Sequence, residues 1–309
     1  MAEKLPKIVI ICGPTGIGKT SMTIELFSKF PSIIISADSM QVYKLMDIGT
    51  AKPSPEENQK AFHHLTDMCF PDEEFDAGKF AQEADKLIKK ADMEKKISII
   101  AGGTGLYIKA LTHGIFRSKP ADKAALELLY DLEKKNGHGF LKKLLQNHDP
   151  ESASKIHEND IFRLARALEC FFSTGQKISN LQEKDRNSKK QKYQILKIGL
   201  CIEREILYQR IEARVDQMIE NGLLNEVINL RNMGYSTNLK SMSSIGYKHM
   251  NFVIDKELSL EEAVSLMKRD TRRYAKRQLT WFRADKDIHW LLPHETEKAA
   301  KLINNFIKS

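Results

Sequence analysis

A glycine-rich stretch near the start of the chain, GPTGIGKT, contains the residue types that bind a phosphate group. It matches the pattern G-x-x-x-x-G-K-[S/T] at every fixed position, after the apolar run IVIIC and before a helical pattern. Glycines let backbone N–H groups converge on phosphate oxygens, and the amino end of a helix adds partial positive charge. Lys19 adds a full charge, and the Thr20 hydroxyl is suited to Mg²⁺. The predicted phosphate site comprises Gly13, Pro14, Thr15, Gly16, Ile17, Gly18, Lys19 and Thr20. The pattern does not distinguish a triphosphate from a diphosphate.

One acidic residue, Asp38, is expected beside this loop. It follows the second buried strand pattern, SIIIS, whereas the third strand ends in AGGTG without an acid. A carboxylate there could support the Mg²⁺ shell or take a proton from an incoming nucleophile. An Asp after a strand also commonly caps a turn. We favour a functional role because parallel strands end at the same edge of a sheet, which places Asp38 near the loop.

A third stretch concentrates positive charge near the carboxyl end. Lys268 to Lys286, KRDTRRYAKRQLTWFRADK, holds eight basic and two acidic residues, with Tyr274, Trp281 and Phe282 interleaved. A solvated basic helix with an apolar inner face would have this composition. Contact with a nucleic-acid backbone would have it as well.

Strands alternate with helices, which predicts an α/β fold with a P-loop NTPase-like parallel sheet that binds ligands at the carboxyl ends of its strands. The residues from about 120 to 192 break the alternation, because they are helical and lysine-rich with no buried strand. We therefore predict a core of residues 1–119 and 193–309 with a mostly helical insertion at 120–192. The C-terminal region is also expected to be helical, at 203–219, 222–233, 259–284 and 295–307.

The composition excludes several classes of protein. The 309 residues are 41% hydrophobic and 29% charged, as in ordinary globular proteins. The four cysteines have no metal-binding spacing, and a disulfide framework is not expected. The sequence has no secretory signal and no run of 18 apolar residues. A cytoplasmic monomer without membrane contact is expected.

Several further stretches, taken together in order, resemble the bacterial tRNA dimethylallyltransferases. These isopentenyltransferases modify the adenosine next to the anticodon. The matching stretches are GPTGIGKT, ISADSMQVYKLMDIGTAKP, HHLTD, AGGTGLYIKAL, DPESASKIHENDIFRLARALE, RIEARVDQMIENGLLNEV, SIGYKH and TRRYAKRQLTWFR. The chain departs from the usual family pattern in two places, with TGIG in the loop and SSIGYKH further on. Neither departure removes a glycine, the lysine or the threonine of the loop.

The resemblance implies that the loop holds the diphosphate of dimethylallyl diphosphate, with Mg²⁺, as a leaving group. The dimethylallyl group would pass to N6 of the adenosine, with Asp38 as the base. Thr104, in GGTGL, would be the second catalytic residue, lining the site and touching the target adenosine. Arg214 is the candidate diphosphate arginine, because it lies in a family stretch and four residues after Arg210. A pair of solvated helix charges explains that spacing equally well.

The resemblance also implies three segments that contact tRNA at its anticodon stem-loop. Asp38, Ser39, Met40 and Gln41 form the first, and the Gln41 amide is suited to a base edge. Phe162, Arg163, Leu164, Ala165 and Arg166 form the second, which combines an aromatic ring with two cations. The basic stretch forms the third, in which Arg273, Lys276 and Arg277 are the predicted contacts.

Three alternatives remain open from the sequence. A P-loop kinase of a small metabolite would share the loop and a carboxylate base, but it leaves the basic stretch unexplained. An adenylate isopentenyltransferase would use the same core with a free nucleotide as acceptor. A non-catalytic tRNA-binding protein is disfavoured because the loop and Asp38 are intact.

Overall fold

The computed structural model describes residues 5–114, 122–188 and 191–309. The chain forms two compact units, one made of Met1–Thr112 with Gln191–Ser309 and the other of His113–Lys190. The start predicted for the helical insertion, residue 120, lies outside the described residues. Among the described helices, none has the length and apolar character needed to cross a bilayer.

The larger unit is built on a six-stranded sheet in which every described pairing is parallel. The strands are β1 (Lys7–Cys12), β2 (Ser32–Ser36), β3 (His63–His64), β4 (Ile97–Gly102), β5 (Gln194–Leu200) and β6 (Ile288–Leu291). Their order across the sheet is β3-β2-β4-β1-β5-β6. The predicted α/β fold with a parallel sheet is confirmed.

Helices connect and cover these strands. With numbering that follows the chain through both units, they are α1 (Lys19–Lys29), α2 (Pro55–Lys60), α3 (Ala77–Met93), α4 (Gly105–His113), α10 (Arg204–Glu220), α11 (Leu223–Asn232), α12 (Tyr247–Ile254), α13 (Leu260–Arg283) and α14 (Thr296–Lys308). The core lies between sheet and helices. Val9 and Ile11 of β1 belong to one buried cluster with Met22 and Leu26 of α1 and Ile303 of α14. A strand in the middle of such a sheet is covered on both faces, which explains the unbroken apolar run IVIIC.

Four short elements were absent from the sequence-based prediction: α2, α12, β3 and β6. A signal for α2 was present in the sequence, since Ser54 and Glu57 form a capping box and Pro55 occupies the first helical turn. The strands β3 and β6 have only two and four residues, too few to show a periodic pattern.

The smaller unit is helical in its described part. Its helices are α5 (Lys123–Asn136), α6 (Phe140–His148), α7 (Pro150–Lys155), α8 (Ile161–Thr174) and α9 (Ile178–Ser188). Leu141 and Leu145 of α6 pack with Leu164 and Leu168 of α8 in a core of its own. The buried carboxylate of Asp149 accepts hydrogen bonds from the backbone and hydroxyl of both Ser152 and Ser179, which joins α7 to the start of α9.

Candidate active site

A cavity of about 700 Å³ opens at the carboxyl ends of β1, β2 and β4, and α10 and α13 contribute to its wall. Doubly wound sheets bind ligands at this edge, and the volume is typical of a small-ligand site. The sequence-predicted residues that line it are Thr15, Gly16, Ile17, Gly18, Lys19, Thr20, Asp38, Ser39, Met40, Gln41 and Arg214.

The phosphate loop presents its backbone amides to this cavity. Gly16 and Gly18 have positive φ angles of 76° and 102°, a conformation that glycine adopts without strain. A side chain at Gly16 would also meet Ile211, whose Cγ1 would lie 3.1 Å from the added Cβ. Within the part of the chain that the structure describes, the N–H groups from Gly16 to Thr20 donate to no protein acceptor. The loop therefore keeps a run of donors for an anion.

Lys19 lies across the loop that carries it. Its ammonium donates to the carbonyl oxygens of Gly13 at 3.1 Å and Pro14 at 2.7 Å. Gly13 and Pro14 do not line the cavity; they hold the lysine that does. Gly13 and Pro14 were predicted to bind the phosphate. In the structure they could act on it only indirectly, by positioning the Lys19 ammonium.

The charges around Lys19 favour an anion in the cavity. Burial lowers the pKa of Lys19 to about 8; Asp38 opposes that shift and Arg214 adds to it. Burial also lowers the pKa of Arg214, against the charges of Asp38 and Glu57. Arg214 Nη2 lies 3.5 Å from the carbonyl oxygen of Ala51. Lys19, Arg210 and Arg214 line the cavity together with the two carboxylates Asp38 and Glu57, which leaves positive charge for a ligand to neutralise.

The geometry of Asp38 is compatible with a capping role and with a functional role. Its Oδ1 accepts hydrogen bonds from the backbone amides of Met40 at 2.9 Å and Gln41 at 3.4 Å, which caps the turn after β2. The residue also lines the cavity. Oδ2 accepts no hydrogen bond from any residue that the structure describes, so one carboxylate oxygen holds the turn while the other remains for a ligand.

Thr104 lies behind Ser39 and does not itself line the cavity. Its Oγ1 accepts from the Ser39 backbone amide at 3.0 Å, and its own amide donates to the Ala37 carbonyl oxygen at 3.1 Å. The expectation that Thr104 contacts the adenine stays a prediction. In the structure Thr104 links the loop after β4 to the turn that carries Asp38.

One face of helix α13 lines the cavity with mostly polar side chains. The sequence alone did not identify these residues as part of the site. Met267, Thr271, Tyr274 and Gln278 line the cavity at helical spacing. Burial raises the pKa of Tyr274 to about 12, and the charge of Asp38 adds to the shift, while Thr104, Arg277 and Gln278 oppose it. The signal in the sequence was a Thr, a Tyr and a Gln at positions of an amphipathic helix where apolar residues are usual.

Gln41 makes its hydrogen bonds inside the protein. Its Oε1 accepts from the Ser36 hydroxyl at 2.9 Å, and its Nε2 donates to the carbonyl oxygens of Thr50 at 3.4 Å and Ala51 at 3.1 Å. Reading a base edge with this amide, as predicted, would require exchanging these bonds.

Glu226 holds the chain segment that carries Thr50 and Ala51. Its carboxylate accepts from the backbone amides of Asp47, Ile48 and Gly49 at 2.8–3.2 Å. It also accepts from the hydroxyl of the buried Tyr247 at 2.6 Å. This carboxylate therefore fixes one wall of the cavity.

His63 places an unpaired acceptor at the cavity wall. Its Nδ1 contacts the Ala61 carbonyl oxygen at 2.9 Å, which assigns the proton to Nδ1. Its buried Nε2 has no partner in the described part of the chain. Burial lowers the pKa of His63, so the ring is neutral at neutral pH.

The outer face of α13 is basic and exposed. Arg272 and Lys268 pair with Glu212 and Asp216 of α10. By contrast, Lys276 and Arg277 have no acidic partner among the described residues, and the exposed Arg273 lies 3.9 Å from Asp270. The helix thus separates a site-facing stripe from a cationic face.

The second predicted tRNA segment lies on α8, within the smaller unit. Phe162 and Arg163 are exposed, with fractions of 64% for the residue and 66% for the side chain. Leu164 and Ala165 are fully buried in the core of that unit, and Arg166 pairs with the buried Glu169. Direct contact through Leu164 or Ala165, as predicted, conflicts with this burial, because both side chains are enclosed by apolar neighbours. Phe162 and Arg163 remain available.

The cavity offers a magnesium ion oxygen ligands but no protein cage. No group of three His, Cys, Asp or Glu side chains that could hold a metal occurs among the described residues. Thr20 lines the cavity and makes no side-chain hydrogen bond to another described residue. Mg²⁺ commonly takes one or two protein oxygens and completes its shell with substrate phosphates and water, so this donor set fits it.

Comparison with known proteins gives a consistent result. The family model described as IPP transferase matches residues 41–285. A tRNA dimethylallyltransferase of Desulfosudis oleivorans is 46% identical over 304 residues, which are 98% of this chain and 96% of that protein. The crystal structure of a tRNA isopentenylpyrophosphate transferase from Bacillus halodurans is 36% identical over 98% of this chain and 97% of its own, with a TM-score of 0.73. A eukaryotic dimethylallyltransferase, described as acting on tRNA, is 29% identical over 98% of this chain and 80% of its own, with a TM-score of 0.79.

Proposed function

The chain belongs to the IPP transferase family, and we propose that its cavity brings dimethylallyl diphosphate against one adenosine of a tRNA. The protein is a transferase that modifies tRNA by dimethylallyl transfer. One observation supports the placement of the reaction more than any other: the phosphate loop and the free oxygen of Asp38 share the cavity, close enough for Asp38 to shift the pKa of Lys19.

The donor's diphosphate is proposed to lie on the phosphate loop. The amides from Gly16 to Thr20 and the charges of Lys19 and Arg214 would stabilise the negative charge that grows as the bond between carbon and oxygen breaks. The Thr20 hydroxyl would hold Mg²⁺, which would add positive charge to the diphosphate oxygens. The loop would thus stabilise a leaving group and transfer no phosphoryl group.

The acceptor is proposed to be N6 of the adenosine next to the anticodon. This exocyclic amine is a weak nucleophile because its lone pair is delocalised into the ring. As N6 forms its bond to the allylic carbon, the bonding electrons of the old carbon–oxygen bond leave with the diphosphate. The N6 proton passes to the free oxygen of Asp38.

The tRNA is proposed to contact three surfaces. The turn from Asp38 to Gln41 lies at the cavity, and the outer face of α13 offers Arg273, Lys276 and Arg277 to phosphates. Phe162 and Arg163 of the predicted insertion, residues 120–192, offer stacking and charge. Extruding the adenosine from the loop stack costs a few kcal/mol, which contacts on these surfaces would offset.

A labelling experiment tests the proposal. The protein is incubated with radiolabelled dimethylallyl diphosphate, Mg²⁺ and either bulk tRNA or AMP, and label is followed into each acceptor. We expect label in tRNA only, at N6 of the adenosine next to the anticodon after nuclease digestion. Label in AMP would instead favour a free-nucleotide acceptor, and label at another nucleoside would refute the proposed geometry.

A further inference from the structure

The side-chain amide of Gln278, which lines the cavity, makes two hydrogen bonds to the main chain of two different loops. Its Oε1 accepts from the Thr15 backbone amide at 2.9 Å, and its Nε2 donates to the Gly103 carbonyl oxygen at 2.9 Å. The residue is 7% exposed, so both bonds are made away from bulk water. One amide of α13 therefore connects the phosphate loop to the loop after β4.

The backbone around Gln278 leaves room for this connection. A Cβ added to Gly103 would lie 2.3 Å from the Gln278 Nε2, so a side chain at this position would displace the amide from its present place. Glycine at this position lets the amide reach the main chain. A carboxamide is also the side chain suited to the task, because it donates and accepts from one planar group, whereas a carboxylate only accepts.

We propose that Gln278 is a positioning residue that holds the phosphate loop in register with the Asp38 turn. From Gly103 the connection continues through Thr104, whose Oγ1 accepts from the Ser39 amide beside Asp38. Gln278 also takes the Thr15 amide out of the set of free donors, which directs the anion to the amides from Gly16 to Thr20. The inference rests on the proposed placement of the diphosphate at this loop.

Two substitutions separate the two bonds. Gln278→Met keeps the side-chain length and removes both bonds. Gln278→Glu keeps the acceptor for Thr15 but loses the donor to Gly103 while it is ionised. Burial raises the pKa of a carboxyl group at such a position, and its protonated form regains a donor. Acidification should therefore restore the function of the Glu variant relative to wild type.

The measurement is the Kd of dimethylallyl diphosphate without tRNA, together with the Kd of tRNA and with kcat at saturating donor. For Gln278→Met we expect the donor Kd to rise about tenfold, the equivalent of one or two net hydrogen bonds, and the tRNA Kd to change less than about twofold. For Gln278→Glu we expect a larger rise at about pH 8 that shrinks towards about pH 6. Gln209→Glu, on the exposed face of α10, should behave as wild type at every pH.

A Lys19→Ala variant distinguishes the ways in which this could fail. If Lys19→Ala leaves the donor Kd unchanged, the diphosphate does not bind at the loop and the proposed placement is wrong. If Lys19→Ala weakens donor binding while both Gln278 variants bind donor as wild type does, the placement stands and the positioning role is overturned. Equal losses of donor and tRNA affinity in the Gln278 variants would also overturn it. If Gln278→Met does not fold, the pH response of the Glu variant decides alone.

Discussion

Asp38 holds the turn after β2 with one carboxylate oxygen, and the base proposed for N6 is its other oxygen. Because Oδ1 caps the turn, an Asp38→Asn variant keeps an oxygen for the amides of Met40 and Gln41 while it loses the basicity of the carboxylate. We expect kcat to fall about 10²–10⁴-fold, with the tRNA Kd within about twofold of wild type. Single-turnover transfer of labelled donor and a tRNA binding titration measure the two quantities.

Asp92→Asn, at an exposed site on α3, is the matched control and should not change either quantity. A kcat for Asp38→Asn within a factor of a few of the control would show that N6 loses its proton elsewhere. Equal losses of kcat and tRNA affinity would assign Asp38 to binding.

We expect donor binding to depend on pH through the ammonium group of Lys19. Its pKa is lowered to about 8 in the free protein, and an anion on the loop favours its protonated form. A diphosphate ester is largely ionised above neutral pH. The donor Kd should thus be nearly constant below pH 8 and rise by up to tenfold per pH unit above it. A titration of donor binding without tRNA, between about pH 7 and pH 9.5, measures this dependence.

Lys19→Arg gives the control, because a guanidinium keeps its charge over this range. Its donor Kd should stay flat above pH 8, whatever its absolute value. A rise in the arginine variant parallel to that of wild type would mean that another group titrates.

At the residue scale, the sequence predicted the residues that belong to a contiguous pattern. The stretch GPTGIGKT and the acid after β2 could be recognised because each motif determines its own local geometry. Glu226 and His63 belong to no such motif. Tyr274 and Gln278 had only a weak signal, as polar residues on the inward face of a helix, and their partners could not be read from it. Gln41 lines the cavity, but its sequence position did not indicate which acceptors its amide would bind.

At the scale of single elements, α13 lines the cavity with one face and exposes basic side chains on another. Its capping box at Ser259 and Glu262 starts the helix, and its length carries the basic residues past the cavity. If the exposed face contacts tRNA phosphates, changing Arg273, Lys276 and Arg277 to Glu should flatten the salt dependence of tRNA binding. We expect the slope of log K against log salt to lose about two units or more, since each phosphate contact contributes about 0.7–0.9.

A control variant with Lys90, Lys301 and Lys308 changed to Glu carries the same change in net charge at exposed positions elsewhere. Its slope should stay near that of wild type. Equal flattening in both variants would attribute the salt dependence to the net charge and not to α13.

The segment from Asp47 to Gly49 depends on a residue of α11. Glu226→Ala would leave three backbone amides and the buried Tyr247 hydroxyl without their acceptor. We expect the free energy of unfolding to fall by about 2–4 kcal/mol, and Glu226→Gln, which keeps an oxygen acceptor, to cost less. Urea denaturation measures both, with the exposed Glu220→Ala as the control. Equal costs for Glu226→Ala and Glu220→Ala would argue against a clamp.

Helices and strands with long periodic patterns were predicted more accurately than short ones. The long amphipathic helices α10, α13 and α14 start and end within a few residues of the limits predicted from the sequence. The helix α12 was missed because it begins inside a family stretch, SIGYKH, that has no clear periodicity of its own. The edge strands are too short for an alternation to be visible.

At the scale of the whole molecule, the strand–helix alternation predicted the parallel sheet but not the order of its strands. The sequence contains no local signal for β1 lying between β4 and β5, since that order is set by crossover connections. For the same reason, the local sequence does not predict which residues line the cavity together. Its walls come from residues between Thr15 and Gln278, which are brought together only when the sheet is complete.

The span of the Thr15–Gln278 bond has a consequence during protein synthesis. The two residues are 263 positions apart, and Lys7 at the start of β1 similarly donates to the Phe306 carbonyl oxygen across 299 positions. A ribosome adds residues at about 5–20 per second, so Gln278 is synthesised on the order of tens of seconds after the phosphate loop. A polypeptide released from the ribosome before α13 emerges would carry the whole GPTGIGKT signature and yet lack the contact that orients it.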